Sequence, residues 1–274
     1  MNTYPFPDYR DRYLPAMTPR QISALPDKAW APVIIATGAI EQHGPHLPVF
    51  TDTCIAEGMV RRAIELLPSE LPVTFLPVQA VGKSNEHISS PGTLTATWET
   101  ATKLWLEIGD SVQRAGVRKL IIVNSHGGNV PMVDIVAREL RVRHTMLAVG
   151  TAWSRFGYPD SVANATESAF GIHGGDYETS EMLHFRPDLV KMDLAEDFVS
   201  AQASFAREFK HLRAHGPHQF GWKAQDLNPK GTVGNARAAT AEKGRAIVDR
   251  QARGFVELCA DVHAFEITRL WRAP

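Results

Sequence analysis

The chain has 274 residues, 44% of them hydrophobic and 22% charged, with a formal net charge of −1. That length buries a substantial core, and with no Lys/Arg cluster in the sequence neither nucleic acid nor an anionic membrane is an expected partner. Residues 1–8 lack a basic stretch followed by an apolar one, no apolar run reaches the length of a bilayer span, and Cys54 and Cys259 read as lone buried thiols, so a cytoplasmic protein is expected.

Apolar β-branched runs at 33–37, 73–77, 120–123 and 146–151 predict strands, and segments near 53–67, 95–115 and 130–143 predict helices between them. Near-continuous apolar strands alternating with amphipathic helices indicate α/β architecture, with a mostly parallel sheet covered on both faces. After Trp153 the pattern changes: 154–172 reads as a long loop or partial lid, and a helix holding Met182, Leu183 and Phe185 follows. Further helices are predicted near 195–212 and 240–262, with the turn His215-Gly216-Pro217-His218 between them. No repeat or low-complexity linker interrupts the chain, so residues 1–274 are expected to form a single domain.

Ligands of parallel α/β sheets bind beyond the carboxyl ends of the strands. Directly beyond the first strand lies Glu41-Gln42-His43-Gly44-Pro45-His46-Leu47-Pro48-Val49-Phe50-Thr51-Asp52. Glu41 and His43 are two apart, so an extended backbone points both to one side. Asp52 precedes an apolar-periodic helix, where a carboxylate either caps the helix or is free to bind a cation. Mixed carboxylate and imidazole donors suit a first-row metal. His46, restrained between Pro45 and Pro48, reads as a capping or packing residue.

Beyond the third strand, Asn124-Ser125-His126-Gly127-Gly128-Asn129 forms a Gly-rich strand-to-helix turn. Three readings stand for it: glycines needed only for shape with His126 capping, a phosphate cradle, or His126 presented to a metal. His173, Asp176 and Glu178 make a second polar cluster beside glycines. It is either an acid-rich helix start or a metal ligand and acid/base pair, with Glu178 as ligand or base and His173 as acid or base. Ser84 and His87 lie beyond the second strand and line either a pocket or a surface loop.

Taken in order, Gly38-Ala39-Ile40-Glu41-Gln42-His43-Gly44-Pro45-His46-Leu47-Pro48 with Thr51-Asp52, Pro91-Gly92-Thr93, Asn124 to Asn129, and His173-Gly174-Gly175-Asp176-Tyr177-Glu178-Thr179-Ser180 resemble the signatures of the creatininase (creatinine amidohydrolase) family. Gly231-Thr232-Val233-Gly234-Asn235, with Ala239, Glu242, Lys243 and Gly244, is similar to the family's last motif. The resemblance implies a three-layer α/β/α sandwich, a homo-oligomer such as a hexamer, and one or two divalent ions, Zn or Mn or else Fe, at the strand ends. It implies Glu41, His43, Asp52 and His126 as metal ligands, with Asp52 bridging where two ions bind, and His173 as the catalytic histidine with Glu178 beside the substrate.

The departures are specific. Creatininase proper carries a Tyr and a metal-binding Glu where this chain has Gly127 and Gly128. Glu178 is the expected substitute; otherwise the site holds one tight ion and a weak second or none. Ile172, Asp176 and Asn235 also depart from the pattern, and together these changes argue against creatinine as the substrate. Ser84, His87, Gly127, Gly128, Trp153 and Asp176 are the expected substrate-side residues, with Trp153 and Trp222 as candidate aromatic walls. The expected activity is metal-dependent hydrolysis of a C–N bond in a small amide, lactam or formamide, with Glu178 positioning or deprotonating water and His173 protonating the leaving nitrogen. The alternatives are a hydrolase or isomerase of a cyclic keto-sugar and a non-catalytic metal-stabilised binding protein.

Overall fold

The computed structural model describes residues 12–25 and 32–271, and the reading of residues 1–8 falls outside them. Its regular elements, in order, are α1 (Pro19–Ala24), β1 (Pro32–Thr37), α2 (Thr51–Leu66), β2 (Thr74–Phe75), α3 (Trp98–Arg114), β3 (Lys119–Asn124), α4 (Val130–His144) and β4 (Leu147–Ala152). Then come α5 (Ala165–Phe170), α6 (Asp176–Phe185), β5 (Asp197–Phe198), α7 (Gln202–Glu208), α8 (Ala224–Leu227), β6 (Gly234–Asn235) and α9 (Ala241–Ala264).

The first four strands form one parallel sheet in the order β2-β1-β3-β4, while β5 and β6 make a small antiparallel pair. Along β1 and β3 the register runs from Pro32 opposite Lys119 to Thr37 opposite Asn124. Alternation then sorts the side chains. Val33, Ile35, Leu120 and Ile122 pack with Trp105 of α3 and Val136 and Leu140 of α4. Ile34, Ala36, Ile121 and Val123 pack on the opposite side with Met59 of α2, Met182 of α6 and Phe255 of α9. Two apolar clusters, one on each face of the sheet, give the expected three-layer α/β/α sandwich. Each fully buried isoleucine contributes about 1.5–3 kcal/mol. Among the described residues no helix is long and apolar enough to cross a membrane.

Several expectations about the elements are corrected. The helix expected from 95 begins at Trp98, because Thr97 caps it through Thr100 N–H, while Thr95 Oγ1 accepts from Ser84 N–H at 2.7 Å. The loop expected over 154–172 contains α5, capped by Asn164. Over 195–212 only Gln202–Glu208 is helical. Phe198 instead pairs with Gly234 and packs with Ala195 and Ala236, so tertiary contact overrides local helical propensity.

The sheet also sets where the loops meet. Asn124 Oδ1, at the end of β3, accepts from Thr37 Oγ1 at 2.9 Å, His126 N–H at 3.1 Å and Asn129 Nδ2 at 3.1 Å. Asn129 Nδ2 also donates to Gly38 O, and its Oδ1 accepts from Lys83 N–H. Two buried amides therefore tie the loops after β1, β2 and β3 into one rigid edge.

Candidate metal centre

At that edge Glu41, His43, Asp52 and His126 converge, each no more than 5% exposed. Backbone carbonyls fix the imidazole tautomers. His43 Nδ1 lies 3.0 Å from Glu41 O and so carries the proton, which leaves the Nε2 lone pair 3.3 Å from Asp52 Oδ1. His126 Nε2 donates to Lys83 O at 2.9 Å, leaving Nδ1 facing Glu41 Oε1 at 3.2 Å and Asp52 Oδ2 at 3.1 Å. A metal-binding histidine shows this arrangement, its second nitrogen held by a carbonyl. Both Glu41 oxygens, His43 Nε2 and Asp52 Oδ2 are buried without hydrogen-bond partners. Imidazole lone pairs facing buried carboxylates are costly unless a proton or a metal cation lies between them. The donor set thus fits a divalent first-row metal.

Among the described residues, three groups of donors lie close enough to hold an ion: Glu41, Asp52 and His126; His43, Asp52 and Glu178; and Glu41, His43 and His173. Asp52 belongs to the first two, with one oxygen towards each histidine. Its position in the first turn of α2 adds the helix dipole to what holds it ionised. Burial would raise its pKa, but His43 and His126 hold it well below the usual carboxylate range. The same carboxylates outweigh burial at His126, lifting it well above an ordinary imidazole.

Glu178, in the first turn of α6, accepts Gly174 N–H through Oε2 at 2.5 Å. Burial lifts its pKa to about 7, with His43 opposing and Asp52 adding to the rise. His173 Nε2 donates to Gln42 O at 2.8 Å, so its unprotonated Nδ1 faces Glu41 Oε1 at 3.6 Å. Burial, then the neighbouring His43 and His87, hold His173 well below an ordinary imidazole, and it is neutral.

Ser84 and His87 are at the centre too: Ser84 Oγ is 3.3 Å from His126 Nε2, and His87 Nε2 is 3.4 Å from Glu41 Oε1. Trp222 stands edge-on to His87 at 6.4 Å and is held by Ala214 O, so it can form an aromatic wall. Two expected substrate contacts are engaged elsewhere. Asp176 is salt-bridged to Lys243 Nζ at 2.6 Å and accepts from Ser180, which makes it a structural anchor of α6. Trp153 is buried in the core with its ring 4.7 Å from Phe255. His46 packs as expected, hydrogen-bonded to Thr179 and stacked on Phe198.

Sequence reasoning assigned no role to Glu86, Gln42 or Glu167. Glu167 accepts from Asp176 N–H at 2.6 Å and Asn235 N–H at 3.0 Å, and Gly171, Gly175 and Gly234 crowd its carboxylate so closely that a Cβ on any of them would collide with it. This cage joins α5, α6 and β6 behind the His173–Glu178 loop.

The two glycines after His126 differ. Nothing lies within 4 Å of a Cβ built on Gly127, which is exposed, whereas one on Gly128 would collide with Glu86 Oε1, His126 Nε2 and Lys83 O. Lys83 Nζ holds the Glu86 carboxylate there at 2.7 Å. Gly128→Ala is therefore expected to destabilise the protein by about 1–3 kcal/mol through overpacking. Adding Glu86→Ala should recover only part of that loss, because His126 and the Lys83 carbonyl remain; denaturant unfolding of the single and double variants measures both.

A parallel α/β sandwich with buried carboxylate and imidazole donors at the carboxyl ends of its strands fits a metal-dependent enzyme. The family model described as creatinine amidohydrolase matches residues 15–259, and the chain belongs to the creatininase family. It is 34% identical over 231 residues to the mycofactocin precursor peptide peptidase of Mycobacterium ulcerans, covering 82% of each chain. It is 27% identical over 240 residues to the creatinine amidohydrolase of Pseudomonas putida, covering 82% of this chain and 87% of that one. A Bacteroides fragilis crystal structure, described provisionally as a creatinine amidohydrolase, shares the fold with a TM-score of 0.77 and 24% identity, over 96% of this chain and 99% of that one. Creatininase structures with TM-scores of 0.73 and 0.72 are described as Mn and Zn–Zn forms.

Proposed function

We propose that this protein hydrolyses a C–N bond in a small amide, lactam or formamide at a centre of one or two divalent ions, Zn or Mn. The observation that carries the reading is the set of buried, unpartnered donor atoms on Glu41, His43 and Asp52, facing one another and His126. Glu41, Asp52 and His126 would hold one ion and His43, Asp52 and Glu178 the other, so that Glu178 takes the place of a ligand absent at Gly128. A bound ion supplies acidification of water and polarisation of the carbonyl, worth several kcal/mol.

The chain's own groups handle the proton. His173 presents an unprotonated Nδ1 to the centre, so it takes a proton from the attacking water and returns it to the nitrogen as the C–N bond breaks. Glu178, anchored by Gly174 N–H, orients the water. Exposed Ile88, Leu94 and Trp98, on the segment after His87, offer an apolar surface for the expected homo-oligomer.

Elemental mass spectrometry of gently purified protein tests the ligand assignment. Two ions per chain, falling to one in Glu178→Ala, is the expected result; one ion in both proteins would leave Glu178 a purely catalytic group. Turnover on a panel of lactams, formamides, short peptides and cyclic ketones tests the reaction. Activity confined to the cyclic ketones would overturn the amide reading in favour of keto-sugar chemistry.

A further inference from the structure

Gln42 sits between two candidate ligands, yet its side chain turns away from both and is fixed at each end. Gly44 N–H can only donate, so Gln42 Oε1 accepts it at 3.0 Å; Gly231 O can only accept, so Gln42 Nε2 donates to it. The second hydrogen on Nε2 then points to His87 Nδ1, 2.7 Å away. His87 Nδ1 must therefore accept, which places the ring proton on Nε2, 3.4 Å from Glu41 Oε1. With its lone pair engaged by Gln42, His87 has none to offer a metal, and it belongs to none of the three donor groups. It is 1% exposed and stacked on His173 at 4.2 Å, so it is walled off from solvent.

From this geometry we infer that Gln42 and His87 form a relay that positions Glu41: the amide sets the tautomer of His87, which aims the imidazole N–H at Glu41 Oε1, 3.4 Å away and short of a hydrogen bond, so that it closes on the carboxylate when Glu41 holds the ion. The inference rests on the metal reading of the centre. It makes His87 a positioning residue rather than a substrate contact or a proton carrier, with Gln42 as the residue that makes the arrangement possible.

The test uses full-length protein and Zn2+ alone, with affinity measured by competition against a chromophoric chelator. His87→Leu is expected to weaken zinc binding about ten- to a hundredfold, the usual effect of removing a partner of a metal ligand. His87→Gln, which can place an N–H near the position of Nε2, should bind zinc close to wild type and keep most of its turnover. Gln42→Leu should weaken binding, and combining it with His87→Leu should add little, since the two act in one chain. Nitrogen-15 spectra of zinc-loaded protein should show His87 protonated at Nε2 and not at Nδ1.

Unchanged zinc affinity in His87→Leu overturns the relay, as do additive losses in the double variant. Normal zinc affinity in His87→Gln with activity as low as in His87→Leu overturns it in favour of proton transfer. Failure of the wild type to bind zinc or any other divalent ion would instead overturn the metal reading. Comparing the thermal melts of the metal-free variants separates lost binding from lost fold.

Discussion

Asp52→Ala is expected to lower turnover by at least about a thousandfold and to empty both ion positions together. Asp52 is the one carboxylate shared by the two donor groups that contain His126 and Glu178, with an oxygen 3.3 Å from His43 Nε2 and another 3.1 Å from His126 Nδ1. Losing metal-derived stabilisation of several kcal/mol costs about a factor of ten per 1.4 kcal/mol, which sets the scale of the effect. Steady-state kinetics with metal analysis on the same sample checks it. One retained ion would show that the ions do not share this carboxylate, and full activity would remove Asp52 from the centre.

The second large effect is on the pH dependence of stability when metal is stripped. Burial alone would lower the His43 pKa, but Asp52 beside it, with Glu178 and Glu41, lifts it to about 9. A histidine whose folded pKa lies above its unfolded value of about 6.5 contributes stability that is complete below that value and lost as pH rises through about 9. The raised carboxyls act in the same sense: Glu178 at about 7 and Glu181 at about 8 favour the fold while protonated and oppose it once ionised. Metal-free protein should therefore lose thermal stability steadily between pH 6 and 9. Metal loading has the opposite dependence, because ligands must give up protons to bind. At a thousandfold excess over Kd the ion stabilises by about 4 kcal/mol, or roughly 10 °C for a domain of this size. The gap between loaded and stripped melting temperatures should widen as pH rises, and a gap that narrows would contradict the metal centre.

Local patterns made the sheet legible. The apolar runs at β1 and β3 and the period of α2, α4 and α9 needed no distant partner to declare themselves, and Glu41, His43 and Asp52 stood out because they lie within twelve residues after a strand. Long-range pairing was invisible. Asp176 looked like a substrate contact because its partner, Lys243, lies 67 residues away, and Gln42 showed no role because its anchor, Gly231, is 189 residues away. Glu86 escaped notice because its contact with Gly128 exists only once β2 and β3 bring their loops to one edge. The overlong helix drawn over 195–212 failed for a related reason, since Phe198 finds its partner in β6 and not in its neighbours.

The depth of the centre bears on how the ion arrives. Donors as enclosed as Glu41 and His43, neither measurably exposed, let an ion in or out only when the edge of the sheet opens. Exchange is then paced by that opening, so loading or stripping the purified protein is expected to be slow. Zinc competition on the purified protein is therefore read only after the signal has stopped changing.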